Sequence, residues 1–199
     1  MNGYLERLSK LNATPVRVEE RVLLCTGQSS FKSSALSLEQ LSFLETVAPT
    51  ECSVLSMGFP FDSSFDGAGF REVGMVSASW RNARQVYWSM FSPVYREAIA
   101  RRFQAVIGAT SRRLIIVTGS CGLQLVNVAW PKLQIPTELR IDLVALGPAC
   151  FGELRMPVTV VRGRRDIWSR MLYRGRVDHV CAGGHLDYWG AGRLVRALL

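Results

Sequence analysis

With 199 residues, 48% of them hydrophobic and 20% charged, the chain is long enough for one sizeable core and short for two. The composition is that of a globular domain rather than a disordered or fibrous one. No run approaches the roughly eighteen apolar residues of a membrane span, and MNGYLERLSKLNATP at the N-terminus lacks the apolar block of a signal peptide. We therefore expect a single cytoplasmic domain over residues 1–199 with no membrane partner.

In chain order, short apolar runs predict strands at RVLLC (21–25), CSVLSM (52–57), RLIIVT (113–118), RIDLVALG (140–147), PVTVVRG (157–163) and RVDHVC (176–181). Most are near-continuously hydrophobic, as strands covered on both faces are. PVRVEE (15–20) alternates and reads as an extra edge strand. SLEQLSFLETVA opens with a capping box, Ser37 and Gln40, and carries Leu38, Leu41, Leu44 and Ala48 at helical spacing. Residues 79–91 and 93–107 read as two helices separated by Ser92-Pro93, a cap followed by proline at the first helical position. CGLQLVNVAW is a helix stopped by Pro131, and 188–199 is a last helix. Alternating strands and helices imply an α/β fold: a mainly parallel sheet of about six strands with helices on both faces. Such sheets carry their functional residues on loops at the carboxyl ends of the strands.

The formal charge of +8 invites an anionic partner. Yet the basic residues are scattered, and the densest group, Arg162 to Arg176, has neither zinc-finger spacing nor an aromatic RNA-binding signature. No nucleic-acid partner is expected. The five cysteines (Cys25, Cys52, Cys121, Cys150, Cys181) form no CxxC pair and no metal spacing, so neither a metal nor a cofactor is expected.

The loops carry the chemistry. LIIVTGSCGLQ runs a strand into a tight turn that offers a serine beside a cysteine. A nucleophile on such a turn needs small neighbours two positions before and after it. Thr118 and Gly122 meet this for Ser120; for Cys121 one flank would be Leu123. Ser120 is the candidate nucleophile, and Cys121 contributes its backbone N–H. A small-residue turn also suits plain chain reversal or a phosphate cradle, though no P-loop lysine accompanies it. Of two histidines, His179 lies inside a strand pattern, whereas His185 lies on the loop AGGHLDYW, where a base belongs. Asp166 follows a strand end in RGRRDIW and is the candidate orienting carboxylate, with Asp62 second. Asp66, Asp142, Asp178 and Asp187 are less well placed. In the first loop, CTGQSS, the Gln28 N–H pairs with that of Cys121 as candidate oxyanion donors.

Taken in order, these segments resemble the α/β-hydrolase superfamily from Arg21 to near the C-terminus. VLLCTGQSS is similar to its His-Gly oxyanion segment, with Thr26 in place of histidine. IVTGSCG is similar to its Gly-x-Ser-x-Gly elbow, with Thr118 in place of the first glycine. VTVVRGRRDIW resembles its acid loop, and VCAGGHLDYW its histidine loop. The resemblance implies a three-layer sandwich and a serine hydrolase with catalytic Ser120, His185 and Asp166, acting on an acyl ester or thioester. No large cap follows residue 147, because the chain runs almost directly into the next strand. The aromatic-rich excursion 59–91 is the expected partial cover and acyl wall, with Phe59 and Trp88 as substrate contacts, although aromatics at helical spacing, Tyr87 among them, more often pack in cores. The Arg162–Arg176 cluster would suit an acidic acyl carrier protein. The alternative is a fold of this kind kept for binding or scaffolding without turnover, which Thr26 and Thr118 favour.

Overall fold

The computed structural model describes residues 2–28, 30–62, 69–70 and 72–199; Ser29, Phe65 and Asp66 lie outside them. One six-stranded sheet runs through the molecule in the order β2-β1-β3-β4-β5-β6. Its strands are β1 (Val18–Cys25), β2 (Ser53–Val54), β3 (Thr110–Gly119), β4 (Arg140–Leu146), β5 (Thr159–Gly163) and β6 (His179–Cys181), and every neighbouring pair is parallel. The helices are α1 (Asn2–Lys10), α2 (Leu38–Val47), α3 (Met75–Phe91), α4 (Pro93–Gly108), α5 (Gly122–Ala129), α6 (Ile167–Leu172) and α7 (Gly192–Ala197). The expected α/β fold, a parallel sheet of six strands with helices packed on both faces, is the fold observed.

The strand residues alternate between two apolar layers, as a pleated backbone requires. Leu23, Leu114 and Ile116 pack with Leu8 of α1, Ile99 and Phe103 of α4 and Val126 of α5. Val22, Leu24, Ile115 and Val117 pack with Phe43, Leu44 and Val47 of α2 and Val195 of α7. Fully burying each such side chain contributes about 1.5–3 kcal/mol, which is why β1 and β3, buried on both faces, form the centre.

Two expectations need correction, and one helix is new. PVRVEE is no separate strand: residues 18–20 begin β1 and pair with the start of β3. The Ser37–Gln40 capping box forms in both directions, but Leu38 is 85% exposed and the helix instead buries Phe43, Leu44 and Val47. Phe43 offers more apolar area than Leu38 and meets Trp189 edge-on, so it sets the rotation of α2. The N-terminal α1 was not anticipated; it is anchored by Leu8, 1% exposed.

From β1 the chain turns to β2 on one side, then crosses to β3 on the other. Strand order therefore reverses between β1 and β3, and open α/β sheets bind ligands outside the carboxyl ends of the strands at such a point. The loops there are residues 26–28 and 119–122.

Candidate active site

At the end of β3, Ser120 adopts φ +52°, a left-handed conformation that costs an L-residue about 1–2 kcal/mol. Two backbone hydrogen bonds hold it there: Ser120 N–H donates to Leu146 O (3.2 Å), and Ala149 N–H donates to Ser120 O (2.9 Å). The turn feeds α5 against β1 so closely that a Cβ on Gly122 would lie 1.8 Å from Cys25 O. Glycine is thus required at one of the two flanking positions singled out in the sequence.

His185 Nε2 lies 3.0 Å from Ser120 Oγ, and His185 Nδ1 lies 3.0 Å from each carboxylate oxygen of Asp166. A carboxylate only accepts, so the Nδ1 proton belongs on the Asp166 side and the Nε2 lone pair faces the serine hydroxyl. The histidine loop is closed on itself by Gly184 N–H donating to Asp187 Oδ2 (2.7 Å), and it is tied to the acid loop by Arg165 N–H donating to Gly183 O (3.0 Å).

Asp166 is fully buried. Burial alone would raise its pKa, but donors from His185, Ser169 N–H (2.8 Å) and Tyr188 O–H (2.5 Å) outweigh it and hold the carboxyl below its ordinary value. Burial and the neighbouring carboxylate push the Tyr188 hydroxyl upward, so it stays protonated and donates. Tyr188 also accepts from Gly163 N–H (2.7 Å). Burial drives the Cys121 thiol up to about 12, which leaves no thiolate at neutral pH.

The other acids are engaged elsewhere. Asp62 pairs with Arg102 at 3.2 Å, Asp142 with Arg113 and Arg140, and Asp178 with Arg176. His179 lies on the edge strand β6, paired beside Val161 of β5.

Three expected site residues are corrected. Gln28 N–H donates to Gln85 Oε1 of α3 at 2.9 Å, so it is not available as an oxyanion donor beside Cys121. Trp88 is only 4% exposed and packs with Tyr4, Phe31 and Tyr95 in the core. Phe59, 3% exposed, packs with Phe61 and Phe103 and reaches only a cleft of about 80 Å³ beside Thr26 and Gln28. That is smaller than a ligand pocket of roughly 300 Å³ or more. Large apolar area draws both rings inward.

Sequence reasoning missed the inner face of α3. Gln85, fully buried, holds Gln28, whose side-chain Oε1 in turn accepts from Tyr4 O–H. The Asn82 carboxamide packs against Gly27: a Cβ there would lie 2.4 Å from Asn82 Oδ1 and 2.3 Å from Cys121 Sγ. Asn82 Oδ1 is buried without a hydrogen-bond partner among the described residues. Tyr188 was missed as well, although it stands three residues from His185.

No family model matches the chain, and no curated protein matches it. Among solved structures it is similar to a protein from Xanthomonas campestris pv. campestris provisionally described as a hydrolase of the alpha/beta superfamily. The two are 13% identical, with 90% of this chain and 97% of that chain covered and a TM-score of 0.45.

Proposed function

We propose that the protein is a serine hydrolase that cleaves an ester or thioester through an acyl-enzyme. One observation carries this reading: the Ser120–His185–Asp166 chain of contacts at the reversal of strand order. Ser120 Oγ attacks the acyl carbon while its proton passes to His185 Nε2, and Asp166 stabilises the imidazolium. The resulting oxyanion accepts from Cys121 N–H. The Asn82 carboxamide, turned so that Nδ2 replaces Oδ1, supplies the second donor in place of the engaged Gln28 N–H. Collapse expels the alcohol or thiol, which takes the proton back from His185. Water then releases the acid by the same base.

Fluorophosphonate labelling tests the proposal. Wild type is labelled, and Ser120→Ala and His185→Ala are not, with ester turnover falling about 10⁴-fold or more in each. A folded wild type that takes no label overturns it. Comparing a short p-nitrophenyl ester with acyl-CoA and acyl-carrier thioesters separates carboxylesterase from thioesterase. The competing reading, a hydrolase-like fold kept for binding, is favoured by the hydrogen bond between Gln28 N–H and Gln85, since it occupies a donor that catalysis would use.

A further inference from the structure

Helix α3 buries Trp88 but otherwise turns polar side chains inward and an apolar stripe outward. Its residues Asn82, Gln85 and Ser89 turn toward the protein, the last two with no exposed surface. Val76, Trp80, Tyr87 and Phe91 recur at spacings of four, seven and four and face solvent, 85%, 67%, 61% and 64% exposed. Met90 and Val94 extend the stripe toward and into α4. The aromatic members, each with roughly 150–250 Å² of surface, make an apolar patch of several hundred Å², comparable to the largest an ordinary monomer leaves bare. Tyr87 and Phe91 already pack ring to ring, centroids 4.9 Å apart.

Charge decides what covers the stripe. The helix sequence MVSASWRNARQVYWSMF holds two arginines and no carboxylate, in a chain of net charge +8. A second copy would bring like charges together. We propose that the outer face of α3 docks on a lipid surface bearing anionic headgroups. Its aromatics would enter the headgroup–acyl boundary, with Arg84, held over the Trp88 ring, at the level of the phosphates. No helix among the described residues is long and apolar enough to cross a membrane, and a helix lying on the surface needs no span. The expectation of no membrane partner rested on the lack of a span and of a signal-peptide block, neither of which bears on a helix lying on the surface. A second exposed apolar group, Ile167, Trp168 and Leu186, flanks Asp166 and His185 at the carboxyl edge of the sheet. Asn82 and Gln85 of α3 reach that same edge at Gly27 and Gln28. Docking of α3 therefore brings the candidate site close to the lipid.

The test is vesicle co-sedimentation, which needs no turnover and so stands apart from the hydrolase proposal. Wild type partitions at least about tenfold more strongly onto mixed phosphatidylcholine–phosphatidylglycerol vesicles than onto phosphatidylcholine alone, and high salt removes the difference. The triple variant Trp80→Ser, Tyr87→Ser, Phe91→Ser keeps its circular-dichroism spectrum and loses about tenfold in partitioning. Brominated lipid quenches tryptophan fluorescence in wild type and quenches it less in Trp80→Phe, which still binds. The proposal is overturned if wild type stays in the supernatant with both vesicles, or if the triple variant binds as well as wild type. It is also overturned if the stripe instead drives a concentration-dependent dimer, or if it binds only an acidic carrier protein.

Discussion

Replacing Ser120 by glycine and by alanine separates backbone strain from side-chain chemistry. Both variants lose the hydroxyl and its contact with His185 at 3.0 Å, so the difference between them isolates φ +52°. An L-residue there costs about 1–2 kcal/mol, and the greater freedom of unfolded glycine takes back about 0.4–1 kcal/mol. The glycine variant is therefore about 1 kcal/mol more stable than the alanine variant, or about 2–4 °C in Tm for a chain of this size. Urea melts with matching m-values measure the difference. An alanine variant as stable as the glycine variant would refute a strained turn. A serine held where glycine fits better gives up stability for a hydroxyl in one place.

Four further outcomes are expected. Gly147→Ala puts a side chain at φ +50° and a Cβ 2.4 Å from Asp166 Oδ2 and 2.5 Å from the Tyr188 ring; it costs about 3 kcal/mol in urea melts and slows fluorophosphonate labelling. Asp166 has a lowered folded pKa, so its contribution is fully present above its unfolded value of about 3.9 and is lost as pH falls through the folded value; Asp166→Asn flattens the acid limb of the Tm profile. The Cys121 thiol, pushed up to about 12, resists iodoacetamide at about pH 8 in native protein and reacts after denaturation, as mass spectrometry reads; rapid native alkylation that abolishes activity would move the nucleophile to Cys121. Asn82→Ala lowers kcat by about 10²–10³ with little change in KM, the pattern of a lost oxyanion donor.

The strands could be read from the sequence because VLLC and LIIV are apolar without interruption, and only burial on both faces tolerates that. The meeting of Ser120, His185 and Asp166 was legible for a related reason: parallel strands deliver their following loops to one edge, and only two histidines competed for a place there. Tyr188 was not legible, since its hydroxyl reaches back across 22 residues to Asp166, and no local spacing encodes that closure. Helix α3 shows the limit most sharply. Periodicity reveals that Trp80, Tyr87 and Phe91 share a face, but not which way the face turns, and the rule that apolar faces pack inward points the wrong way here. The polar demand of the neighbouring loop supplies a reason. A buried N–H without an acceptor costs about 1–3 kcal/mol, and Gln28 N–H finds its acceptor in Gln85. Once Gln85, with Ser89 one turn on, faces the loop, a straight helix carries Trp80, Tyr87 and Phe91 on the opposite side, while Trp88, between the two faces, stays buried. The same rotation that satisfies the Gln28 backbone therefore leaves the apolar stripe exposed, and the feature least legible in the sequence is the one on which the proposed lipid docking rests.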